Sequence, residues 1–185
     1  MFPATTADSC RQTCSAPSFT TLLTRIHESK IGATFSTASL GAMETTSVTE
    51  KKERLRQFLR EIWSEGNIGA ADKYVASRYV IHHDPGDPWD GKTLDLAGYK
   101  ERVMLSRAPF PDQHFDVQEL FSDGDSVVVT WLWTATHKGD FPGFPASGKQ
   151  IKMSGITVYY FDGPLVTGHW QVTDRLGVYR QLSGA

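Results

Sequence analysis

Residues 126–137 read SVVVTWLWTATH, and the fold class follows from the period of this stretch. Apolar side chains recur at every second position, at Val127, Val129, Trp131 and Trp133. β-Branched and aromatic residues at a period of two are typical of a β-strand, because successive side chains of a strand point to opposite faces. The stretch therefore predicts one long strand with these four side chains on a common face.

The same period continues on both sides of this strand. Asp162-Gly163 and residues 123–125 are short turn sequences that join antiparallel neighbours. Residues 139–148 form a loop with several prolines and glycines. The pattern predicts further strands over 115–121, 149–161 and 165–173, and one more short pairing over 178–182. The second half of the chain therefore predicts a sheet of mostly antiparallel strands.

The first half of the chain has a helical period instead. Ser47-Val-Thr-Glu50 has the form of a capping box and predicts that a helix begins at residue 47. Apolar residues then follow at helical spacing, namely Leu55, Phe58, Leu59, Ile62 and Trp63. Further helices are predicted over 68–76 and 95–107, with a short strand over 79–82.

Helices followed by a run of strands indicate an α+β fold. We expect three N-terminal helices to pack in a strongly bent, mostly antiparallel sheet. The predicted shape is a cone-shaped barrel with one open mouth.

The composition is that of a globular protein and argues against several classes of partner. Apolar residues make up 39% and charged residues 22%, and the formal net charge is -2. Because the sequence has no basic stripe and no apolar run long enough to cross a bilayer, we expect neither a nucleic-acid partner nor a membrane partner. Cys10 and Cys14 both lie near the N-terminus, so we expect no disulfide framework in the main domain.

Residues 1–46 differ in composition from the rest of the chain. They are rich in Ser and Thr and have little hydrophobic periodicity. We expect either a disordered extension or a start codon assigned too early, with Met43 as the true first residue. One cone domain is expected over residues 47–185. The first segment has no convincing secretory signal or transit peptide, so we expect a cytoplasmic protein.

Asp174 is the first candidate for a catalytic residue. It alternates with Trp170 and Val172 on the last predicted strand, so that all three side chains share one face. If that face is the inner one, burial raises the pKa of the carboxyl group, which could then take a proton from carbon and return it. The alternative is a structural role, in which Asp174 caps the turn at residues 175–177.

Two adjacent histidines, His82 and His83, precede Asp84 at the end of the short strand. Adjacent strand residues point to opposite faces, so only one histidine can face a pocket, where it would bind substrate or orient an acid. A metal site needs further ligands at a fixed spacing, and we expect none. His137 ends a strand before the loop at 139–148, a position suited to the rim of a pocket.

Aromatic residues are frequent in the predicted sheet. Trp131, Tyr159 and Trp170 lie on strands whose alternate faces include the core, so they either belong to that core or line an apolar pocket for a small molecule. The sequence has no glycine-rich phosphate loop, no Gly-x-Ser-x-Gly motif and no Cys-His metal spacing. We therefore expect no nucleophilic hydrolysis.

Short motifs occur in a fixed order along residues 48–183. They are Ile81-His-His-Asp-Pro85, Phe110-Pro-Asp112, Thr136-His137, Gly139-Asp-Phe-Pro-Gly143, Ser147-Gly148-Lys149, Asp162-Gly163, Trp170, Asp174 and Gln181-Leu182. Each motif alone is weak, whereas the ordered set is specific. As a set they resemble the SnoaL-like polyketide cyclase, or ester cyclase, family.

The resemblance implies the nuclear transport factor two-like fold, a cone-shaped α+β barrel. It also implies an enzyme that closes a ring in an aromatic polyketide by intramolecular aldol condensation, without cofactor or metal. The catalytic aspartate of the family falls on Asp174, which would remove a proton next to a carbonyl and later protonate the aldol oxygen. His83 matches the motif histidine near the pocket, and His137 matches the histidine at the strand end.

Three functions remain open at this point. The first is a cofactor-free, cyclase-type enzyme that acts by proton transfer on a small apolar carbonyl substrate. The second is a non-catalytic small-molecule binding module, since a fold does not fix a function. The third is an isomerase or a dehydratase, which is a lyase, on the same fold. Both faces of the strand with Trp131 and Trp133 hold apolar residues, so we also expect a homodimer through the outer face.

Overall fold

The computed structural model describes residues 37–184, and their side chains from Val48 onward. The helices are α1 (Thr37–Phe58), α2 (Ala71–Tyr74), α3 (Leu96–Arg107) and α4 (Arg175–Ser183). The strands are β1 (Val75–His83), β2 (Thr93–Asp95), β3 (His114–Asp123), β4 (Ser126–Thr136), β5 (Gln150–Asp162) and β6 (Leu165–Thr173). A π-helical turn, Leu59–Ser64, continues α1, and a 3-10 turn, Ile68–Ala70, precedes α2.

Helix α1 begins earlier than the sequence predicts. Its first residue is Thr37, so the predicted capping box at Ser47 lies inside the helix, and the prediction of a helix start there is wrong. No proline interrupts residues 37–46, and Ala38 and Leu40 favour a helix. The earlier part of the predicted N-terminal extension, residues 1–36, lies outside the described residues.

The end of the chain forms a helix where the sequence predicts one more strand pairing. Helix α4 buries Val178 and Leu182 and ends at Gly184, whose φ of 77° is the left-handed conformation that commonly closes helices. Val178 and Leu182 are four positions apart, a spacing that a helix and a strand both place on one face. Their spacing alone could therefore not distinguish the two structures.

One sheet of six strands has the order β2-β1-β6-β5-β4-β3. Strands β1 and β6 are parallel, and the other neighbouring pairs in this order are antiparallel. The predicted α+β fold with a curled, mostly antiparallel sheet is confirmed. The parallel pair matters for the site, because it brings the end of β1 beside His169 and Trp170 of β6.

The two faces of the sheet have different surroundings. Alternate residues of β4 are buried as predicted, and they pack with the apolar stripe of α1 and the π-helical turn after it. We call the face that carries Val127 and Trp131 the inner face. The opposite face, which carries Leu132 with 47% of its surface exposed, is called the outer face. No helix within residues 37–184 is long and apolar enough to span a bilayer.

Candidate functional site

Asp84 is the centre of a buried group of charged side chains. It follows β1 directly and is 1% exposed. Arg102 of α3 donates from Nη2 to Oδ2 of Asp84 at 3.1 Å, and Arg175 of α4 donates from Nη2 to Oδ1 at 2.6 Å. Asp87 adds a second carboxylate, whose Oδ2 atom lies 3.0 Å from Nη2 of Arg102. Three distant parts of the chain therefore meet at one carboxylate.

A bulge in β1 turns Asp84 toward the interior. Ile81 pairs with His169, whereas the next residue of β6, Trp170, pairs with His83, so β1 carries one extra residue between the two pairs. A shift of one residue moves each later side chain to the opposite face. Asp84 consequently lies on the inner side, although strict alternation from the buried Ile81 would turn it outward.

His169 lies beside Asp84 on the inner face of β6 and is 2% exposed. Its Nε2 atom is 3.5 Å from Oδ2 of Asp84, an ion-pair distance that is long for a hydrogen bond. Its Nδ1 atom is 2.8 Å from the hydroxyl oxygen of Tyr79 on β1, and the tautomer of the imidazole decides which group donates. Tyr79, His169 and Asp84 thus form one row of polar groups inside an aromatic core.

A second row of polar groups reaches Asp84 from the sheet. Gln171, on the inner face of β6, helps to lower the pKa of the Asp84 carboxyl group. The Oε1 atom of Gln171 accepts a hydrogen bond from Oγ1 of Thr157 at 3.1 Å, and Thr157 accepts one from Nε1 of Trp131 at 2.9 Å. Two guanidinium groups hold the Asp84 carboxylate, and neutral groups of the sheet lie near it. We call the following residues the inner cluster: Tyr79, Asp84, Asp87, Arg102, His169, Gln171 and Arg175.

Asp84 stays ionised despite its burial. Burial alone would raise the pKa of this carboxyl group, but the adjacent imidazole of His169, the charge of Arg175 and the polar side chain of Gln171 hold the pKa well below its ordinary value. A carboxylate in this state is a weak base. Its chemical role is therefore to orient a neighbouring group and to stabilise positive charge on it.

His169 is neutral near pH 7. Burial lowers the pKa of the imidazole, and the nearby Asp84 carboxylate offsets this effect only in part. Burial raises the pKa of the Tyr79 hydroxyl well above its ordinary value, so this group stays protonated. The row therefore holds a hydroxyl group, a neutral imidazole and a carboxylate, an arrangement that is able to accept and return a proton.

The charges of the inner cluster balance. Two carboxylates, Asp84 and Asp87, face two guanidinium groups, Arg102 and Arg175. In the part of the chain that the structure describes, no three His, Cys, Asp or Glu side chains are arranged to hold a metal ion. The groups gathered here suit proton transfer and the binding of polar oxygen atoms.

Asp174 lies apart from the inner cluster. It is the N-cap of α4, where its exposed side chain accepts a hydrogen bond through Oδ1 from the backbone N–H of Gly177 at 2.8 Å. Trp170 and Val172 lie on the outer face, with 38% and 53% of their surfaces exposed. The expected desolvation of Asp174 is therefore wrong, and the capping role that was its alternative is the observed geometry.

His83 also lies on the outer side. Its ring stacks on that of Trp170, with the centroids 4.8 Å apart and 13° between the planes. His82 packs edge-on against Tyr160, whose centroid is 4.9 Å away. Both histidines thus contact rings of the outer face. The prediction that they face opposite sides is wrong, because the bulge in β1 interrupts the alternation at this point.

Two of the four predicted pocket residues reach the inner cluster. Trp131 does so through Thr157, which accepts a hydrogen bond from Trp131 and donates one to Gln171. The ring centroid of Tyr159 is 6.1 Å from that of His169. The third, Trp170, lies on the outer face with His83.

The fourth predicted pocket residue, His137, is fully buried just after the end of β4. Its Nδ1 atom is 3.0 Å from Oγ of Ser147 in the following loop, and its ring packs against Phe110 at 5.4 Å between centroids. The bond to Ser147 joins the two ends of the loop, so the observed contacts of His137 are those of a packed core residue.

An open groove lies on the outer face. It has a volume of about 490 Å³. Leu132, Ile156 and Val172 line it, and Asp174 adds a carboxylate. Leu132, Ile156 and Val172 are about half exposed, whereas Trp131, which also lines the groove, is 3% exposed. The residues of the inner cluster do not line this groove.

Sequence reasoning missed most of the inner cluster, although some signals were present. The period of two that groups Trp170 with Asp174 also groups His169 with Gln171 on the opposite face of β6. Asp84 belonged to the motif with the two histidines. Arg102 stands three residues after Tyr99, on the stripe of α3 that faces inward.

Comparison with known proteins agrees with this architecture. The sequence profile described as SnoaL-like polyketide cyclase matches residues 53–182. The crystal structure of a candidate polyketide cyclase from Acidithiobacillus ferrooxidans is 70% identical, with a TM-score of 0.71, over 74% of this chain and 96% of that one. No curated protein matches the chain.

Two more distant crystal structures share the fold. AclR, a candidate hydroxylase from Streptomyces galilaeus, is 19% identical over 75% of this chain and 84% of that one, with a TM-score of 0.64. IdmH, a candidate polyketide cyclase from Streptomyces antibioticus, is 22% identical over 72% of this chain and 98% of that one, with a TM-score of 0.61.

The family profile covers most of the chain and includes every residue of the inner cluster. The expected family resemblance is thereby confirmed. This chain belongs to the SnoaL-like polyketide cyclase family.

Proposed function

We propose that this protein is a cofactor-free enzyme that moves a proton to and from a small carbonyl compound, as in ring closure by an intramolecular aldol reaction. The observation that carries the proposal is the buried row of Tyr79, His169 and Asp84. His169 is the proposed acid and base, and Asp84 is the group that stabilises its protonated form.

The proposed site of proton transfer is Nε2 of His169. The proposal requires the tautomer in which the Nδ1–H group donates to the hydroxyl oxygen of Tyr79 and Nε2 keeps its lone pair. The C–H bond next to the carbonyl breaks, its proton passes to Nε2, and its electron pair forms the enolate. The imidazolium then lies 3.5 Å from Oδ2 of Asp84, whose charge stabilises it. The enolate attacks a second carbonyl of the same molecule, and the imidazolium returns the proton to the new alkoxide.

The aromatic surroundings of the row suit an apolar substrate. The ring of Tyr99 lies 4.7 Å from that of Tyr79, and the ring of Phe58 lies 5.5 Å from that of Tyr159, as measured between centroids. Apolar walls strengthen the interaction between an imidazolium and a carboxylate. An isomerase or a dehydratase would use the same first step and differ in the fate of the enolate. AclR, with the same fold, is a candidate hydroxylase, so the fold does not select the reaction.

The catalytic roles predicted for Asp174 and His83 remain a separate proposal. Both residues lie on the outer side, where Asp174 borders the groove beside Leu132 and Val172. A reaction in the groove would depend on Asp174, whereas a reaction in the inner cluster would depend on His169. Matched variants can therefore distinguish the two sites.

Exchange of α-protons with D₂O tests the proposal, with 2-tetralone as a small apolar ketone probe and NMR as the readout. We expect His169→Gln to lower the protein-dependent exchange rate by about 10²-fold or more, the usual effect of a general base. Asp174→Asn should leave that rate unchanged. If Asp174→Asn abolished exchange and His169→Gln did not, the reaction would belong to the groove. If the wild-type protein bound 2-tetralone without accelerating exchange, the protein would be a binding module.

We also propose that the outer face joins two copies of the chain. Leu132, Ile156, Val172 and Phe121 are each about half exposed on this face, and Ile156 pairs directly with Val172. An apolar strip of this kind is a common contact surface, and a two-fold axis allows the same strip to meet itself. A cytoplasmic location stays a prediction from the sequence.

A further inference from the structure

Three buried nitrogen atoms around Asp84 have no hydrogen-bond partner among the described residues. They are Nε of Arg102, Nε of Arg175 and Nε2 of His169. Each guanidinium group uses Nη2 to contact Asp84 and leaves its Nε–H group unpaired. Buried donors are nearly always paired in folded proteins, so the two unpaired Nε–H donors in one place indicate a ligand that pairs with them.

We propose that the Nε–H groups of Arg102 and Arg175 hold the enolate oxygen that forms when His169 takes a proton from the substrate. This inference rests on the proposed function and adds two further catalytic residues to it. The Nε and Nη2 atoms of a guanidinium group form one edge with two nearly parallel N–H donors, which suits a planar oxygen group. In both arginines one donor of that edge contacts Asp84 and the other is unpaired.

The balance of charge favours an enolate over a permanently charged group. Asp84 and Asp87 already compensate Arg102 and Arg175, and His169 is neutral. A neutral ketone that gives its proton to His169 adds one negative and one positive charge, so the cluster stays neutral. A carboxylate ligand would leave a net negative charge next to Asp84 in a buried place, which is unfavourable.

The two arginines occupy different depths. The side chain of Arg102 is 5% exposed, and that of Arg175 is 32% exposed. A Cβ atom placed on Gly86 would lie 3.0 Å from Cδ of Arg175, so the loop after β1 packs closely on this side chain. Arg175 therefore lies on the solvent side of the cluster, and the proposal requires that a substrate passes it to reach Arg102 and His169.

The test uses p-nitrophenol, which forms a coloured anion. This anion resembles an enolate, because in both the charged oxygen is attached to a planar carbon atom. At a pH where the free compound is protonated, we expect binding to produce the anion, because the proton passes to His169. The NMR signals of the Nε–H groups of Arg102 and Arg175 should shift in the same titration. Arg175→Lys keeps the positive charge but removes the Nε–H donor, and should weaken binding of the anion about tenfold or more. Arg180→Lys, the same change on an exposed arginine of α4, should leave binding unchanged.

Several results would overturn the proposal. They are the absence of binding, binding as the neutral phenol, Nε–H signals that do not shift, and benzoate binding as tightly as the p-nitrophenol anion. The role of Arg102 is measured by NMR on the intact wild-type chain, because substitution of this buried residue can unfold the protein. If Arg175→Lys left the exchange of 2-tetralone intact while His169→Gln abolished it, the proton-transfer proposal would stand and the proposal for the arginines would fail.

Discussion

The Nη2 atom of Arg175 lies 2.6 Å from Oδ1 of Asp84, although the two residues are 91 positions apart in the chain. This ion pair joins the start of α4 to the loop after β1. Asp84 is almost completely buried, and the loss of one partner from a buried ion pair leaves a charge that is poorly compensated. The contact therefore contributes to the stability of the fold as well as to the site.

Arg175→Met should lower the free energy of unfolding by about 1–3 kcal/mol, below the usual range for a buried pair because Arg102 still compensates Asp84. Urea unfolding followed by circular dichroism measures the change. Arg180→Met, on the exposed side of the same helix, should stay within about 0.5 kcal/mol of wild type. Equal losses in the two variants would contradict a special role for the pair with Asp84.

Stability should fall in two stages as the solution is acidified. The folded state lowers the pKa of both His169 and Asp84, so the unfolded state binds more protons and acid favours unfolding. The loss should begin below about pH 6.5 for His169 and below about pH 4 for Asp84, their ordinary pKa values in an unfolded chain.

Urea unfolding at a series of pH values measures both stages. His169→Gln should reduce the loss of stability in the first stage. Asp84→Asn should reduce the loss of stability in the second stage. If the free energy of unfolding of His169→Gln fell as steeply as that of the wild type between neutral and mildly acidic pH, the first stage would not belong to His169.

Gly155 lies where a larger residue would disturb the hydrogen bond between Trp131 and Thr157 on the inner face. It pairs with Trp131, and a Cβ atom at Gly155 would overlap the indole ring. Gly155→Ala should displace Trp131, break its hydrogen bond to Thr157 and cost about 1–3 kcal/mol of stability. Thermal unfolding and tryptophan fluorescence measure these effects. Gly69→Ala, which meets one oxygen of Asn67 at 3.5 Å, is the control and should be nearly neutral.

Asp174 should act as a helix cap. Asp174→Ala removes the acceptor for the N–H of Gly177 and should cost about 0.5–2 kcal/mol of stability. Asp174→Ser retains a capping oxygen and should recover most of that loss. If the two variants were equally stable in urea unfolding, capping would not explain the position of Asp174.

A charge at the centre of the apolar strip should separate the proposed dimer. Ile156→Lys places an ammonium group beside Val172 on the outer face. Sedimentation velocity at micromolar concentration should change from dimer to monomer. Asp162→Lys, at the exposed end of β5, should remain a dimer. A wild-type protein that sediments as a monomer would contradict the proposed pairing.

Much of the fold could be predicted because its signals are local. The alternation of Val127, Val129 and Trp131 identifies a strand without reference to any other part of the chain. The apolar stripe through Leu55 and Ile62 identifies a helix in the same way.

The site could not be predicted in this manner because it depends on pairing between distant segments. Strict alternation from Ile81 places His83 inside and Asp84 outside, and the one-residue bulge in β1 reverses both assignments. On β6 the alternation correctly predicts that Trp170 and Val172 share a face. Which face of β6 is the inner one depends on the helices and strands around it. The sequence of β6 alone therefore does not identify His169 and Gln171 as site residues.

The parallel pairing of β1 with β6 also sets the order in which the protein can become active during synthesis. Strand β6 and Arg175 leave the ribosome long after Asp84 has emerged. Contacts between segments so far apart form late, because the intervening chain must be ordered first. A nascent chain that stops before Leu165 can form the β3-β4-β5 meander, yet Asp84 then lacks both His169 and Arg175. The proposed activity of the inner cluster therefore requires that synthesis has passed Arg175.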